Sequence, residues 1–187
     1  MAFSNRTGSL AVIVGLLLAS VIQPAPAEKF SEHEVQAVLL YNLTKFVIWP
    51  ESAFTAVDDP LRICILGDDP FNSSLKMLED RPVHGHPISL LTLHGTSSPH
   101  DQCHILIVGS SEQSNLRDIL SPLRNEPVLT IANFNGFAQK GGVISLVKRD
   151  KRVKISVNTW ASKQAGLAVN SQLLELATII EGPQGEG

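Results

Sequence analysis

The chain has 187 residues, and its 15 Lys and Arg against 18 Asp and Glu give a formal net charge of −3. A mildly acidic chain is not built to hold nucleic acid or anionic lipid over its whole surface. The length suits one globular domain that can bury a substantial core.

The first 27 residues are typical of a secretory signal peptide that is cleaved on export. Arg6 supplies a basic start, residues 10–22 form an uncharged apolar run, and Ala25–Ala27 offers small residues to a signal peptidase. The alternative is an uncleaved membrane anchor. The run is shorter than the ~20 apolar residues that span a bilayer, and prolines follow it. We therefore expect a mature protein in the periplasm.

A helix is predicted at the start of the mature chain. Ser31 and Glu34 have the spacing of a capping box, and Phe30 and Val35 have the spacing of a hydrophobic staple. Apolar residues then recur at helical intervals, at Val35, Val38, Leu39, Leu43 and Phe46.

Three residues of this segment are predicted to be structural: Tyr41, Asn42 and Trp49. Asn42 falls on the apolar stripe of the helix, so we expect its amide to be buried and bonded to backbone. Pro50 ends the segment, because the residue before a proline avoids the helical region.

Strands and helices then alternate along the chain. Short apolar runs predict four strands, at residues 61–66, 88–93, 103–108 and 128–132. Helices are predicted at 70–80, from a cap and proline at Asp69-Pro70, and at 111–123. Strand–helix–strand units of this kind build a parallel sheet.

The pattern changes in the C-terminal part. Residues 143–147 and 153–157 are typical of an antiparallel hairpin. Asn158 can cap the helix that follows. Apolar residues between 171 and 180 predict a last amphipathic helix.

The predicted fold class is α/β, with a mixed, mainly parallel sheet flanked by helices on both faces and a C-terminal antiparallel hairpin. The expected organisation is a signal peptide at 1–27, one domain at 28–181 and a disordered tail at 182–187.

The only two cysteines are Cys64 and Cys103. In an oxidising compartment an even pair favours a disulfide, and we predict that bond. Two buried free thiols, acting as small apolar side chains, are the alternative.

No catalytic or metal-binding constellation is visible. Histidines gather along one stretch of the chain, at His84, His86, His94, His100 and His104. None has the spacing of a known metal motif, so we expect solvated loop histidines, no metal and no cofactor. The turn at Gly67–Pro70 lies where nucleotide-binding folds hold phosphate, but its two aspartates would repel phosphate. The chain is therefore predicted not to be an enzyme.

Basic residues surround the predicted hairpin tip, at Lys148, Arg149, Lys151, Arg152 and Lys154. They either blunt a sheet edge or contact an acidic partner or lipid headgroups. Trp160, Leu167 and Val169 lie just beyond. Either Gly166 ends the helix and exposes the last two as partner-binding residues, or all three pack against the sheet.

Several segments in series resemble the motifs of the YfiR-like periplasmic proteins. They are Tyr41–Phe46 with Trp49-Pro50, Ile63–Gly67 with Asp69–Phe71, Cys103–Leu106, Gly141–Ile144, Ile155–Asn158, Ala165–Leu167 and Leu173–Ala177. The resemblance covers nearly all of the chain after residue 27.

The resemblance implies a non-enzymatic regulator that binds the periplasmic region of an inner-membrane diguanylate cyclase, or another membrane sensor. Repression of the cyclase would keep cyclic di-GMP and biofilm formation low. The resemblance also implies a disulfide between Cys64 and Cys103, whereas a second family pair has no counterpart here. A periplasmic small-molecule sensor, with its ligand at the carboxyl ends of the parallel strands, is the alternative. A hydrolase that uses the loop histidines and a metal is a third hypothesis. The sequence leaves homodimerisation open.

Overall fold

A computed structural model describes residues 30–93, 102–150 and 152–182. The predicted signal peptide, His94, His100 and Lys151 lie outside these residues, as does the predicted tail beyond Gly182. No helix within the described ranges has the length and apolar character that a membrane crossing requires.

The helices of the described chain are short apart from the first. The α-helices are α1 (Glu32–Thr44), α2 (Leu116–Leu120), α3 (Thr159–Gln164) and α4 (Ser171–Leu176). Single turns of 3-10 helix lie at Glu51–Ala53, Ser74–Leu78, Ser110–Asn115 and Ser121–Leu123.

The strands form one large sheet and one small ribbon. They are β1 (Val47–Ile48), β2 (Leu61–Leu66), β3 (Pro82–Val83), β4 (His86–Leu93), β5 (Ile105–Val108), β6 (Leu129–Ala132), β7 (Ile144–Arg149), β8 (Arg152–Asn158), β9 (Ala168–Val169) and β10 (Thr178–Ile180). The large sheet has the order β10-β8-β7-β6-β5-β2-β4-β3, and β1 pairs with β9 in the ribbon.

The sheet is mainly parallel, as predicted. The run β4-β2-β5-β6-β7 is parallel throughout. The chain then turns back at Asp150, so that β7 and β8 form the predicted antiparallel hairpin. Two halves of the sheet result, and we call them the disulfide-linked half (residues 61–132) and the C-terminal half (residues 143–180).

Helices cover both faces of the sheet. Alternate residues of each strand point to opposite faces, so each central strand contributes to two cores. Ile63, Ile65 and Ile107 lie in one core with the buried side of α1. Leu106 and Val108 lie in the other core with α2. Both faces of the central strands are therefore buried, which explains their uninterrupted apolar sequences.

The predicted disulfide is present in the second core. Cys64 lies within β2 and Cys103 just before β5, with their Cα atoms 5.7 Å apart. Both residues are buried. The bond ties two strands that are neighbours in the sheet.

The predicted start of α1 is correct, and its predicted apolar stripe is correct for the buried Leu43 and for the partly buried Leu39 and Phe46 but not for Val35 and Val38. Ser31 and Glu34 form the capping box. The buried residues are Ala37, Leu40, Leu43 and Thr44, whereas Val35 is 56% exposed. Asn42 is exposed rather than buried, because this face of the helix points away from the sheet.

Two other predicted helices are replaced by different structure. At 70–80, the Asp69 carboxylate accepts the N–H groups of Phe71 and Ser73 at 2.8 and 2.6 Å, a local turn that competes with a helix. Only a short 3-10 turn follows it. The predicted helix at 171–180 ends at Leu176, and its β-branched end forms β10 beside β8 instead.

The predicted helix at 111–123 exists only in part. Ser110–Asn115 and Ser121–Leu123 are 3-10 turns on either side of α2. The backbone N–H of Ser111 is bonded to Asp68, and Pro122 has no N–H to continue an α-helix.

Candidate functional site

The carboxyl ends of the parallel strands are filled by the chain's own side chains. Asp68 follows β2 and Ser111 follows β5. The Asp68 carboxylate accepts the Ser111 backbone N–H at 2.7 Å, and the Ser111 hydroxyl accepts the Asp68 N–H at 3.0 Å. A Cβ on Gly67 or Gly109 would collide with this pair. The chain's own side chains therefore close the space between the turns after β2 and β5.

The Asp68 carboxylate is held in its charged form. The backbone N–H of Ser111 is the main cause of a lowered pKa for Asp68. A fixed negative charge at the turn after β2 disfavours phosphate, as the sequence suggests.

His104 is buried, so the prediction of a solvated loop histidine is wrong for this residue. Its side chain is 3% exposed. Its Nδ1 accepts the Arg62 N–H at 3.0 Å, so the neutral ring carries its proton on Nε2, which donates to the Ala53 carbonyl at 2.9 Å. Burial lowers the pKa of the His104 imidazole.

The other described histidines of this stretch also bond to backbone. The His86 Nδ1 lies 2.7 Å from the Asp59 carbonyl and the His84 Nε2 lies 3.0 Å from the Val47 carbonyl. The Phe54 ring stacks on both His86 and His104. Within the described ranges, no three His, Cys, Asp or Glu side chains are arranged to hold a metal ion.

An open groove lies where the two halves of the sheet meet. β7 joins β6 over only two residue pairs, beginning at Ile131 and Ile144. One residue earlier in each segment, the Thr130 hydroxyl accepts the Val143 backbone N–H at 2.9 Å. A side-chain oxygen therefore takes the place of a backbone carbonyl as the acceptor for this N–H. The opening between α2 and α3 has a volume of about 360 Å³. We call it the α2–α3 groove.

The α2–α3 groove combines an apolar floor with basic side chains. Its apolar surface comes from Leu120, Leu123, Val128, Val143 and Trp160. Arg117, Arg124 and Lys140 also line it, and the described lining contains no Asp or Glu. The Oε1 atom of Gln139 is buried there without a hydrogen-bond partner.

Sequence reasoning did not find this groove. Its basic residues come from three segments, on α2, after the 3-10 turn at Ser121–Leu123 and in the loop before β7. They share no spacing or motif, so only the folded chain brings them to one cavity.

The sequence pattern of the family described as YfiR/HmsC-like matches residues 33–178. The chain belongs to this family. Its members are known as periplasmic regulators of diguanylate cyclases, and the family is regulatory rather than catalytic. No curated protein matches the chain significantly.

A solved structure has a similar fold. It is described as a conserved domain protein from Vibrio cholerae O1 biovar El Tor strain N16961, and it superposes with a TM-score of 0.53 at 12% sequence identity. The match covers 81% of this chain and 60% of that one, so the chain spans somewhat less than two thirds of the length of its neighbour. At this identity the likeness shows the fold alone.

The predicted partner-binding residues of this YfiR/HmsC-like chain divide between core and surface. Leu167 is 3% exposed and lies in the core, so it cannot act as an exposed contact. Trp160 and Val169 are half-buried, and Val169 pairs with Val47 in the ribbon. Gly166 ends α3 with a φ of +67°, but the chain beyond it turns inward at Leu167.

The ribbon adds a surface that the sequence did not predict. Ile48 is 55% exposed and lies opposite Ala168, which is also exposed. We call the group formed by Ile48, Ala168, Val169 and Trp160 the ribbon surface. No sequence signal distinguished Ile48 from a core residue, because two-residue strands carry no readable alternation.

Charges at the hairpin tip are partly paired. The Lys148 ammonium lies 2.5 Å from the Glu32 carboxylate. Arg149 donates to the Asn135 side chain at 3.1 Å. Bonding to Lys148 lowers the pKa of Glu32. The Lys148–Glu32 pair joins the hairpin to α1, and it is exposed enough that its contribution to stability is small.

Three of the four residues predicted to be structural form hydrogen bonds with backbone, and Asn42 is the exception. The Trp49 indole N–H donates to the His104 carbonyl at 3.2 Å, and the Tyr41 hydroxyl donates to the Pro82 carbonyl at 3.0 Å. The fully buried Asn158 side chain accepts the Ala161 N–H at the start of α3. How much each contributes to stability stays a prediction.

Proposed function

We propose that this protein is a non-enzymatic periplasmic regulator that binds a membrane-bound diguanylate cyclase and represses it. Cyclic di-GMP and biofilm formation are low while the repressor is bound. The observation that carries the proposal is the family match over residues 33–178. The internally bonded Asp68 and Ser111 and the buried His104, whose ring nitrogens both bond to backbone, support a binding role over a catalytic one.

The proposal includes export to the periplasm. Cleavage after residue 27 leaves one folded domain over residues 28–181. The disulfide between Cys64 and Cys103 supports this location, because such bonds persist in oxidising compartments.

The partner contact is placed at the ribbon surface. Apolar side chains that are reachable and clustered mark interaction sites. Ile48 supplies the most exposed side chain, and Trp160 and Val169 supply partly exposed ones. Leu167 lies beneath them in the core and supports the surface rather than contacting the partner.

The test measures cyclic di-GMP in cells of the source organism that lack the gene. We expect loss of the protein to raise cyclic di-GMP several-fold and the unaltered gene to restore it. Ile48→Ser and Val169→Ser should fail to restore it while the exported protein keeps its melting temperature. Leu91→Ser, which changes another partly exposed apolar residue on β4, is the matched control.

Two results would count against the proposal. Unchanged cyclic di-GMP after gene deletion would remove the repressor function itself. Full repression by the doubly substituted Ile48→Ser, Val169→Ser protein would leave the function standing and move the contact elsewhere.

A further inference from the structure

The α2–α3 groove has an open apolar floor next to Trp160 that a soluble ligand could cover. Its floor is apolar on both sides, with Leu120 from α2 and Ala161 from α3. A cavity of about 360 Å³ lies within the range that small organic ligands occupy.

The charge of the groove has one sign. Arg117, Arg124 and Lys140 line it, and no carboxylate does so among its described lining residues. This local excess contrasts with the formal net charge of −3 for the whole chain. A cleft with cationic walls and an apolar floor concentrates anions of matching size.

We propose that the α2–α3 groove binds a small organic anion that has a flat apolar body. Arg117, Arg124 and Lys140 attract the acidic group, and Trp160 and Leu120 contact the body. The inference does not rest on the proposed repressor function, because binding is measured on the isolated protein.

The probe is 1-anilinonaphthalene-8-sulfonate, which has an aromatic body, an N–H and an anionic group. Its neutral relative N-phenyl-1-naphthylamine lacks only the sulfonate. Both are titrated by fluorescence into the exported, purified protein. We expect the sulfonate to bind more tightly than the neutral compound, and added salt to narrow the difference.

Variants separate charge from apolar contact. Arg117→Gln and Arg124→Gln should each weaken sulfonate binding by about 3- to 10-fold and leave the neutral compound unchanged. Trp160→Ala should weaken both compounds. Arg149→Gln removes a cation at the hairpin tip, outside the groove, and should change neither.

Equal losses for Arg117→Gln and Arg149→Gln, or for the charged and neutral compounds, would overturn the proposal.

Discussion

The two halves of the sheet are held together in different ways. In the disulfide-linked half, β2 pairs with β4 over six residue pairs and with β5 over four, and a covalent bond joins Cys64 to Cys103. The C-terminal half joins β6 through two residue pairs and one side-chain hydrogen bond from Val143 to Thr130. The first half satisfies its own polar groups. The junction leaves a groove and an unpaired oxygen, so a binding function is more readily placed there.

Removal of the disulfide should lower the free energy of unfolding more than any other change considered for the two halves. A bond across 39 residues lowers the entropy of the unfolded chain, and the chain-entropy model gives a loss of about 4 kcal/mol for Cys64→Ala with Cys103→Ala. Urea unfolding of the purified protein measures this loss. The unaltered protein after reduction is the control, and it should lose a similar amount. A loss below about 1 kcal/mol would mean that strand pairing alone stabilises this half.

Asn158→Ala tests the C-terminal half at its most buried polar side chain. The Nδ2 group donates to the Ala138 carbonyl at 2.7 Å and Oδ1 accepts the Ala161 N–H at 2.8 Å. Loss of both hydrogen bonds leaves two buried backbone groups unpaired. We therefore expect the free energy of unfolding to fall by about 3 kcal/mol. Asn170→Ala removes an exposed helix cap on α4 and should cost only about 1 kcal/mol. Equal losses for the two variants would show that burial at Asn158 contributes nothing.

Acid should weaken the disulfide-linked half through His104. The folded pKa is lowered by burial, while the unfolded chain takes up this proton near the ordinary value of about 6.5. The unfolded state therefore binds more protons than the folded state below that pH. The contribution of His104 to the free energy of unfolding is complete above about pH 6.5 and is lost as the pH falls. One proton limits the loss to about 1.4 kcal/mol between pH 6.5 and 5.5.

The matched variant for this effect is His104→Asn, whose amide oxygen can still accept the Arg62 N–H. Its free energy of unfolding should depend less on pH than that of the unaltered protein over the same interval. Identical slopes in the two proteins would assign the acid sensitivity to other groups.

Asn42→Ala should have the smallest effect. Asn42 is exposed on the outer side of α1, and substitutions at such positions change stability by less than about 0.5 kcal/mol. Leu43→Ala on the buried side is the control and should cost about 2–5 kcal/mol. If Asn42→Ala lowered the melting temperature as much as Leu43→Ala does, the Asn42 amide would be structural after all.

Regular apolar patterns explain which parts of the fold the sequence predicts. The central strands are buried on both faces, so their runs of Ile, Leu and Val are readable at 61–66 and 128–132. The capping box of α1 can also be predicted, because it depends only on two residues three positions apart in the sequence. The pairing of Cys64 with Cys103 is readable because no other cysteine exists.

Tertiary contacts decide the parts that the sequence does not predict. Residues 178–180 continue a helical pattern but pair with β8, which only the folded sheet provides. The buried face of α1 is predicted only in part, because two of its four buried residues, Ala37 and Thr44, carry weak apolar signals. The groove depends on residues from α2, α3 and the loop before β7, so no local pattern contains it.

A single possible cross-link also simplifies how this chain matures. Two cysteines allow one intramolecular connectivity, whereas four would allow three. Oxidation of Cys64 and Cys103 therefore needs an oxidant but no isomerase to correct wrong pairs. Because Cys103 lies 39 residues after Cys64, the bond cannot close until the β2-to-β5 segment is available on the same side of the membrane. Covalent closure therefore requires both cysteines to lie in one oxidising compartment.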